Sequence, residues 1–117
     1  ERVLKITRIY TGQDGASRFE DLDIPLADAG KIGRLSAPQA AQSMILREND
    51  KTYDWHCAPV RQYIILLDGE IEIEVGTGER RRFRGGDVLL VEDTTGRGHC
   101  TRQVSAGTRR SVFVVLG

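Results

Sequence analysis

The chain has 117 residues, 39% of them hydrophobic and 29% charged, and its 17 Lys and Arg are balanced by 17 Asp and Glu for a net charge of zero. That length suits one domain, which buries about two-thirds of the surface its unfolded chain exposes, and the balanced charge supplies no field to hold a nucleic acid or an anionic membrane. No apolar run approaches the roughly 20 residues that span a bilayer as a helix, and two cysteines are too few for a disulfide scaffold, so a reducing, cytoplasmic setting is expected.

The opening Glu1-Arg2-Val3-Leu4-Lys5 is unlike a signal peptide, and because no Met precedes it an upstream segment stays open. Residues 3–10 then read as a strand. The segment from Phe19 to Ala40 carries Asp21, Asp23, Pro25, Asp28, Gly30, Gly33 and Pro38, and it reads as a loop with a helical turn. Further strands are predicted over 42–48, 52–58, 61–67, 70–76, 79–84, 87–91, 99–105 and 111–116, all rich in Val, Ile, Leu, Thr and Tyr. No repeat or linker interrupts them, so residues 1–117 form one all-β domain, a jelly roll or closed barrel.

The clearest local signal runs from Ile64 to Arg84. Asp68-Gly69 is a favoured tight-turn pair. After it Ile71, Ile73 and Val75 alternate with Glu70, Glu72 and Glu74, one face buried and one wet. If Gly76-Thr77-Gly78 is a three-residue loop, Val75 faces Glu79, Ile71 faces Phe83, and Glu74, Glu72 and Glu70 face Arg80, Arg82 and Arg84. Such facing opposite charges stabilise by roughly 0.2–1 kcal/mol per pair. The arginine run therefore reads as a solvated, glutamate-paired hairpin rather than a phosphate patch.

The two histidines sit in the two most informative stretches, Tyr53-Asp54-Trp55-His56-Cys57-Ala58-Pro59-Val60-Arg61-Gln62 with Gly69 seven residues on, and Gly85-Gly86-Asp87-Val88-Leu89-Leu90-Val91 followed by a polar turn and His99. These stretches, about residues 50–69 and 85–103, resemble the two sequence motifs of the cupin superfamily. The resemblance implies a cupin-type jelly-roll β-barrel with a small-molecule cavity. In cupins two histidines and an acidic residue of the first motif join the histidine of the second around a metal. Here His56 and His99 match, but Ala58 stands at the second histidine and Gln62 at the acid. Ala58 has no donor atom and an amide is a poor match for zinc. No resident cofactor is therefore expected. A divalent metal, if one binds, would rest on His56, Gln62 and His99, with Asp54, Glu92 and Asp93 the nearest acids in sequence.

Without a metal, two histidines can give and take protons near neutral pH and Gln62 can orient a carbonyl. His56, His99 and Gln62 are the catalytic candidates, weighed against inert, hydrogen-bonded wall histidines. Arg47, Asp54 and Glu92 are the ligand-binding candidates. The expected activity is proton-transfer chemistry on a small molecule, of isomerase, cyclase, dehydratase or lyase type. The alternatives are a metal-dependent oxygenase with a reduced ligand set and a non-catalytic binding domain. Cys57 and Cys100 should point away from the cavity as unpaired thiols. Neither nucleic acid nor membrane is expected as a partner. Trp55 and the strand Val112-Phe113-Val114-Val115 offer apolar material for a homodimer.

Overall fold

Residues 2–117 are described by a computed structural model, in which alternating apolar and polar residues build eleven strands. In chain order these are β1 (Arg2–Thr11), β2 (Ser17–Asp28), β3 (Arg34–Leu35), β4 (Ser43–Asn49), β5 (Tyr53–His56), β6 (Gln62–Leu66), β7 (Glu70–Glu74), β8 (Arg80–Arg84), β9 (Val88–Val91), β10 (His99–Gln103) and β11 (Arg109–Val115). One 3-10 turn, Gly30–Ile32, precedes β3. Among the described residues no helix is long and apolar enough to cross a membrane.

The loop expected from Phe19 to Ala40 is corrected in its first half. β2 pairs with β1 along ten consecutive residue pairs, from Arg2↔Leu26 to Thr11↔Ser17. Its acids sit on the outer face: Asp21 and Asp23 are exposed while Leu22, Ile24 and Leu26 are half-buried. The strand tolerates Pro25 because β3 pairs β2 only at Ala27 and Asp28, so no ladder partner needs the missing N–H.

The hairpin register is the one the charge pattern predicted. Val75 N–H donates to Glu79 O at 3.0 Å, and the ladder runs Glu74↔Arg80, Glu72↔Arg82, Ile71↔Phe83 and Glu70↔Arg84. The ion pairs follow it with one shift: Arg80 reaches Glu74 at 3.3 Å, whereas Arg82 takes both Glu72 and Glu70 at 3.6 Å. Arg102 on β10 closes on Glu72 and Glu74 from the other side. At the preceding turn Gly69 has φ +74°, a backbone conformation that glycine adopts without steric cost.

The strands divide between a seven-stranded sheet, in the order β3-β2-β1-β9-β6-β11-β4, and a four-stranded sheet, in the order β5-β10-β7-β8. The jelly-roll strand content holds, but the sheets form a sandwich rather than a closed barrel. At the β4 and β5 edges side chains, not a ladder, span the gap: Tyr53 Oη accepts from Arg47 and from Asn49 Nδ2. Between the sheets lies the core, formed by Ile9, Ala58, Leu66, Ile71, Ile73, Val75, Phe83, Leu89 and Val91. β11 is an inner strand, paired on both sides, so it presents no free edge for a dimer. Exposed apolar side chains include Trp55 and, on the edge strand β4, Met44, Ile45 and Leu46.

Candidate functional site

The core does not fill the sandwich. A cavity of about 500 Å³ opens beside it, and His56, Ala58, Gln62, His99 and Arg47 all line its wall. Most of the remaining lining is apolar, from Ile45, Ile64, Leu66, Ile73, Leu89 and Phe113 among others. The strand pattern explains the convergence: β5 and β10 are antiparallel neighbours with His56 directly across from His99. Their ring centroids are 4.8 Å apart, inclined at 53°.

Glycine makes that approach achievable. Gly98 has φ +76°, and a Cβ there would stand 2.0 Å from the His56 carbonyl oxygen. No other residue lets the two chains come so close without displacement. Ser17, fully buried, fixes the same turn by donating from its hydroxyl to Gly98 O at 2.5 Å while accepting from Gly76 N–H at 3.0 Å.

The two imidazoles occupy different settings. His99 is 5% exposed, and its Nδ1 lies 2.6 Å from Asp93 Oδ2, with Asp93 fully enclosed. A carboxylate accepts, so His99 Nδ1 carries the proton and Nε2 is the ring's free nitrogen. The second carboxyl oxygen, Asp93 Oδ1, is buried with no hydrogen-bond partner among the described residues. Asp93 also anchors the segment that leaves β5, because its carbonyl accepts from Ala58 N–H at 3.0 Å. His56 is exposed at the mouth, and its Nδ1 donates to Asp54 O at 2.7 Å, which likewise frees Nε2.

Two of the ligand-binding candidates lie elsewhere. Strict alternation would put Asp54 on the face of His56, but the pairing slips between His99↔His56 and Thr101↔Tyr53. This irregularity turns Tyr53 to the cavity and leaves Asp54 outside, where its carboxylate accepts from Trp55 N–H at 2.8 Å. Glu92 also stays outside, held by Arg8 at 2.5 Å and by Arg61. Burial pushes its carboxyl up, but the hydrogen bonds from Arg8 and Arg61 outweigh that and hold it below its ordinary 4.5.

Sequence reasoning missed two cavity-lining groups, Tyr53 and Arg109, and missed Asp93 as the buried partner of His99. Arg109 is buried, lines the cavity, and was passed over because the last strand begins two residues before the predicted 111–116. Cys57 and Cys100 are free, and neither lines the cavity.

No family model matches the chain. Over 63 residues the chain is 32% identical to oryzines biosynthesis cluster protein J of Aspergillus oryzae, an alignment of 53% of this chain and 34% of that protein. The chain thus spans about a third of that relative's length. Among solved structures it matches protein NMB1881 from Neisseria meningitidis with a TM-score of 0.50 and 19% identity, over 63% of this chain and 72% of that one. The fold is cupin-like. A second structure, of an ethanolamine utilization protein Q from Salmonella typhimurium, covers 99% of this chain and 98% of its own at 12% identity and a TM-score of 0.43, too loose to decide anything.

The donors on this cupin-like frame do not fit a tightly held transition metal. Among the described residues no three His, Cys, Asp or Glu side chains come together. Asp93 is engaged by His99 through Oδ2, Ala58 offers nothing, and Gln62 contributes at best a neutral amide oxygen. Two imidazoles are left, poised for each other and for whatever enters the cavity.

Proposed function

We propose that this chain is a small-molecule enzyme that moves protons within its cavity, an isomerase, cyclase, dehydratase or lyase, with no tightly bound metal. The observation that carries this reading is the buried Asp93–His99 pair set beside His56 on the wall of one largely apolar cavity. Asp93 fixes the tautomer of His99, so Nε2 presents a lone pair to the substrate and Asp93 stabilises the imidazolium that forms. His99 takes a proton from a carbon next to a carbonyl. The electron pair of that C–H bond moves onto the carbonyl oxygen as an enolate, to which the Gln62 amide N–H donates.

His56, carrying a second proton taken up from water at Nε2, then delivers it, to a second carbon in an isomerisation or to a departing oxygen in a dehydration. His99 passes the substrate's proton to the vacated Nε2 of the adjacent His56, which resets the pair. The exposure of His56 suits its part, because it can take up a proton from water while His99 stays shielded. The name of the Aspergillus oryzae relative, a biosynthesis cluster protein, agrees with small-molecule chemistry.

The test is deuterium uptake from D2O into two enolisable ketones, cyclohexanone and 4-oxopentanoate, followed by proton NMR. The wild-type chain should speed exchange above buffer. His99→Ala and His56→Ala should abolish the excess and Gln62→Ala should reduce it about a hundredfold, the lower end of what loss of one oxyanion donor costs. Exchange unchanged in both histidine variants, or absent in wild type, overturns the catalytic reading. Unchanged ligand binding with lowered melting in both would make the histidines structural.

A further inference from the structure

The arginines of this protein follow a rule with two exceptions. Arg8, Arg18, Arg61, Arg80, Arg81, Arg82, Arg102 and Arg110 each hold a carboxylate within 4 Å. Arg2, Arg34, Arg84 and Arg97 lie exposed in solvent. Arg47 and Arg109 do neither. Both line the cavity, and among the described residues neither has a carboxylate in salt-bridge range.

Their surroundings are those of a cation kept for something else. Arg109 is only 6% exposed and spends one nitrogen on neutral acceptors, donating through Nη1 to Lys51 O at 3.0 Å and to Gln103 Oε1. Arg47 is half-buried, with its guanidinium carbon 5.1 Å from the ring centroids of both Tyr53 and Phe113, and it donates to Tyr53 Oη. Burial lowers the Arg109 pKa from its usual value and the like charge of Arg47 lowers it further; the influence of Tyr53 and Asp50 offsets this only in part. Two guanidiniums brought together in an apolar wall repel each other, and buried charges are ordinarily paired. Among the described residues no carboxylate supplies the counter-charge.

We infer that the cavity takes an organic acid with an apolar body, its carboxylate held by Arg47 and Arg109. The planar guanidinium fork matches a carboxylate in two parallel hydrogen bonds. Ile45, Ile64, Val91 and Phe113 provide for an apolar body. Tyr53 lies between the arginines and the histidines, its ring 5.7 Å from His56, so the reacting carbon stands several bonds from the carboxylate. This inference rests on the reading of the cavity as a small-molecule site, and it adds the class of molecule.

The test titrates the full chain with hexanoate, hexanamide and hexyl phosphate, reading heat together with the ring NMR signals of His56 and His99. Hexanoate should bind roughly 10- to 100-fold more tightly than hexanamide, the span of a charge-assisted hydrogen bond. Arg47→Met, a change at a half-exposed position, should erase most of that preference, weakening hexanoate far more than hexanamide. Arg109→Lys, which keeps the charge and loses the fork, should weaken hexanoate selectively. If hexanamide binds as well as hexanoate and both move the histidine signals, the arginine clamp is wrong while the cavity reading stands. A stronger preference for hexyl phosphate also overturns the carboxylate assignment. If no probe gives heat or moves a histidine signal at millimolar concentration, the cavity reading fails and takes the clamp with it.

Discussion

His99 and Asp93 are six residues apart in sequence and meet side chain to side chain at 2.6 Å inside the protein, where the carboxyl has no other hydrogen-bond partner among the described residues. Each group depends on the other. Asp93→Ala strands the imidazole N–H, and breaking a buried pair from one side costs about 3–5 kcal/mol. Asp93→Asn keeps an oxygen to accept that N–H and removes a half-satisfied buried charge, so its melting temperature should fall much less. Both variants should nevertheless lose ketone exchange, because neither stabilises an imidazolium. Denaturant titration and the deuterium assay separate the two effects; equal stability for Ala and Asn would show that the hydrogen bond contributes little.

Gly98→Ala should be costly to both fold and site. The added methyl would meet His56 O at 2.0 Å in a backbone conformation, φ +76°, that side chains rarely adopt. Left-handed strain alone is roughly 1–2 kcal/mol, and relief of the contact must push β5 away from β10. The expected result is a stability loss above about 2 kcal/mol, with the His56 ring signal displaced. A variant that melts like wild type would mean that β5 yields freely.

Stability should also depend on acid through Glu92. Its folded pKa lies below the ordinary 4.5, so the protein gains stability from this group above that value and loses it as pH falls through the depressed one. Glu92→Gln should therefore be less stable at pH 7 by about 1 kcal/mol, for a side chain 15% exposed between two arginines. The gap should close as pH falls from 4.5 through the depressed folded pKa, below which wild type is protonated too. A gap constant from neutral pH to strong acid would contradict the pairing. Chemical denaturation of both proteins across that range measures it.

The fold was legible wherever a local pattern carried its own register. Between Glu70 and Arg84 hydrophobic alternation and charge complementarity specify the same pairing, and the strands obey both. β2 was hidden because its outer face is written in Asp and Pro, the residues that also write loops; only a ladder with β1, invisible locally, decides between them. The site was half legible for a similar reason. His56, Gln62 and His99 follow from strand parity and motif spacing and do share one cavity. Asp54 was misplaced by a one-residue slip that no residue type announces. Asp93 and Arg109 enter from a turn and a strand end, where tertiary packing rather than periodicity aims the side chain.

The two sheets share no ladder, and the cavity takes wall from each: Ile45, Ile64 and Phe113 from the larger, His56, Ile73 and His99 from the smaller. A molecule seated there acts as a rivet through both plates. Because only the closed sandwich can hold it, occupancy at a hundred times Kd adds about 2.7 kcal/mol to stability. The seam at β4 and β5 would then breathe less, slowing amide exchange along those strands and denying proteases their entry. With such a molecule in place the sandwich would withstand heat and proteolysis better than the empty chain does.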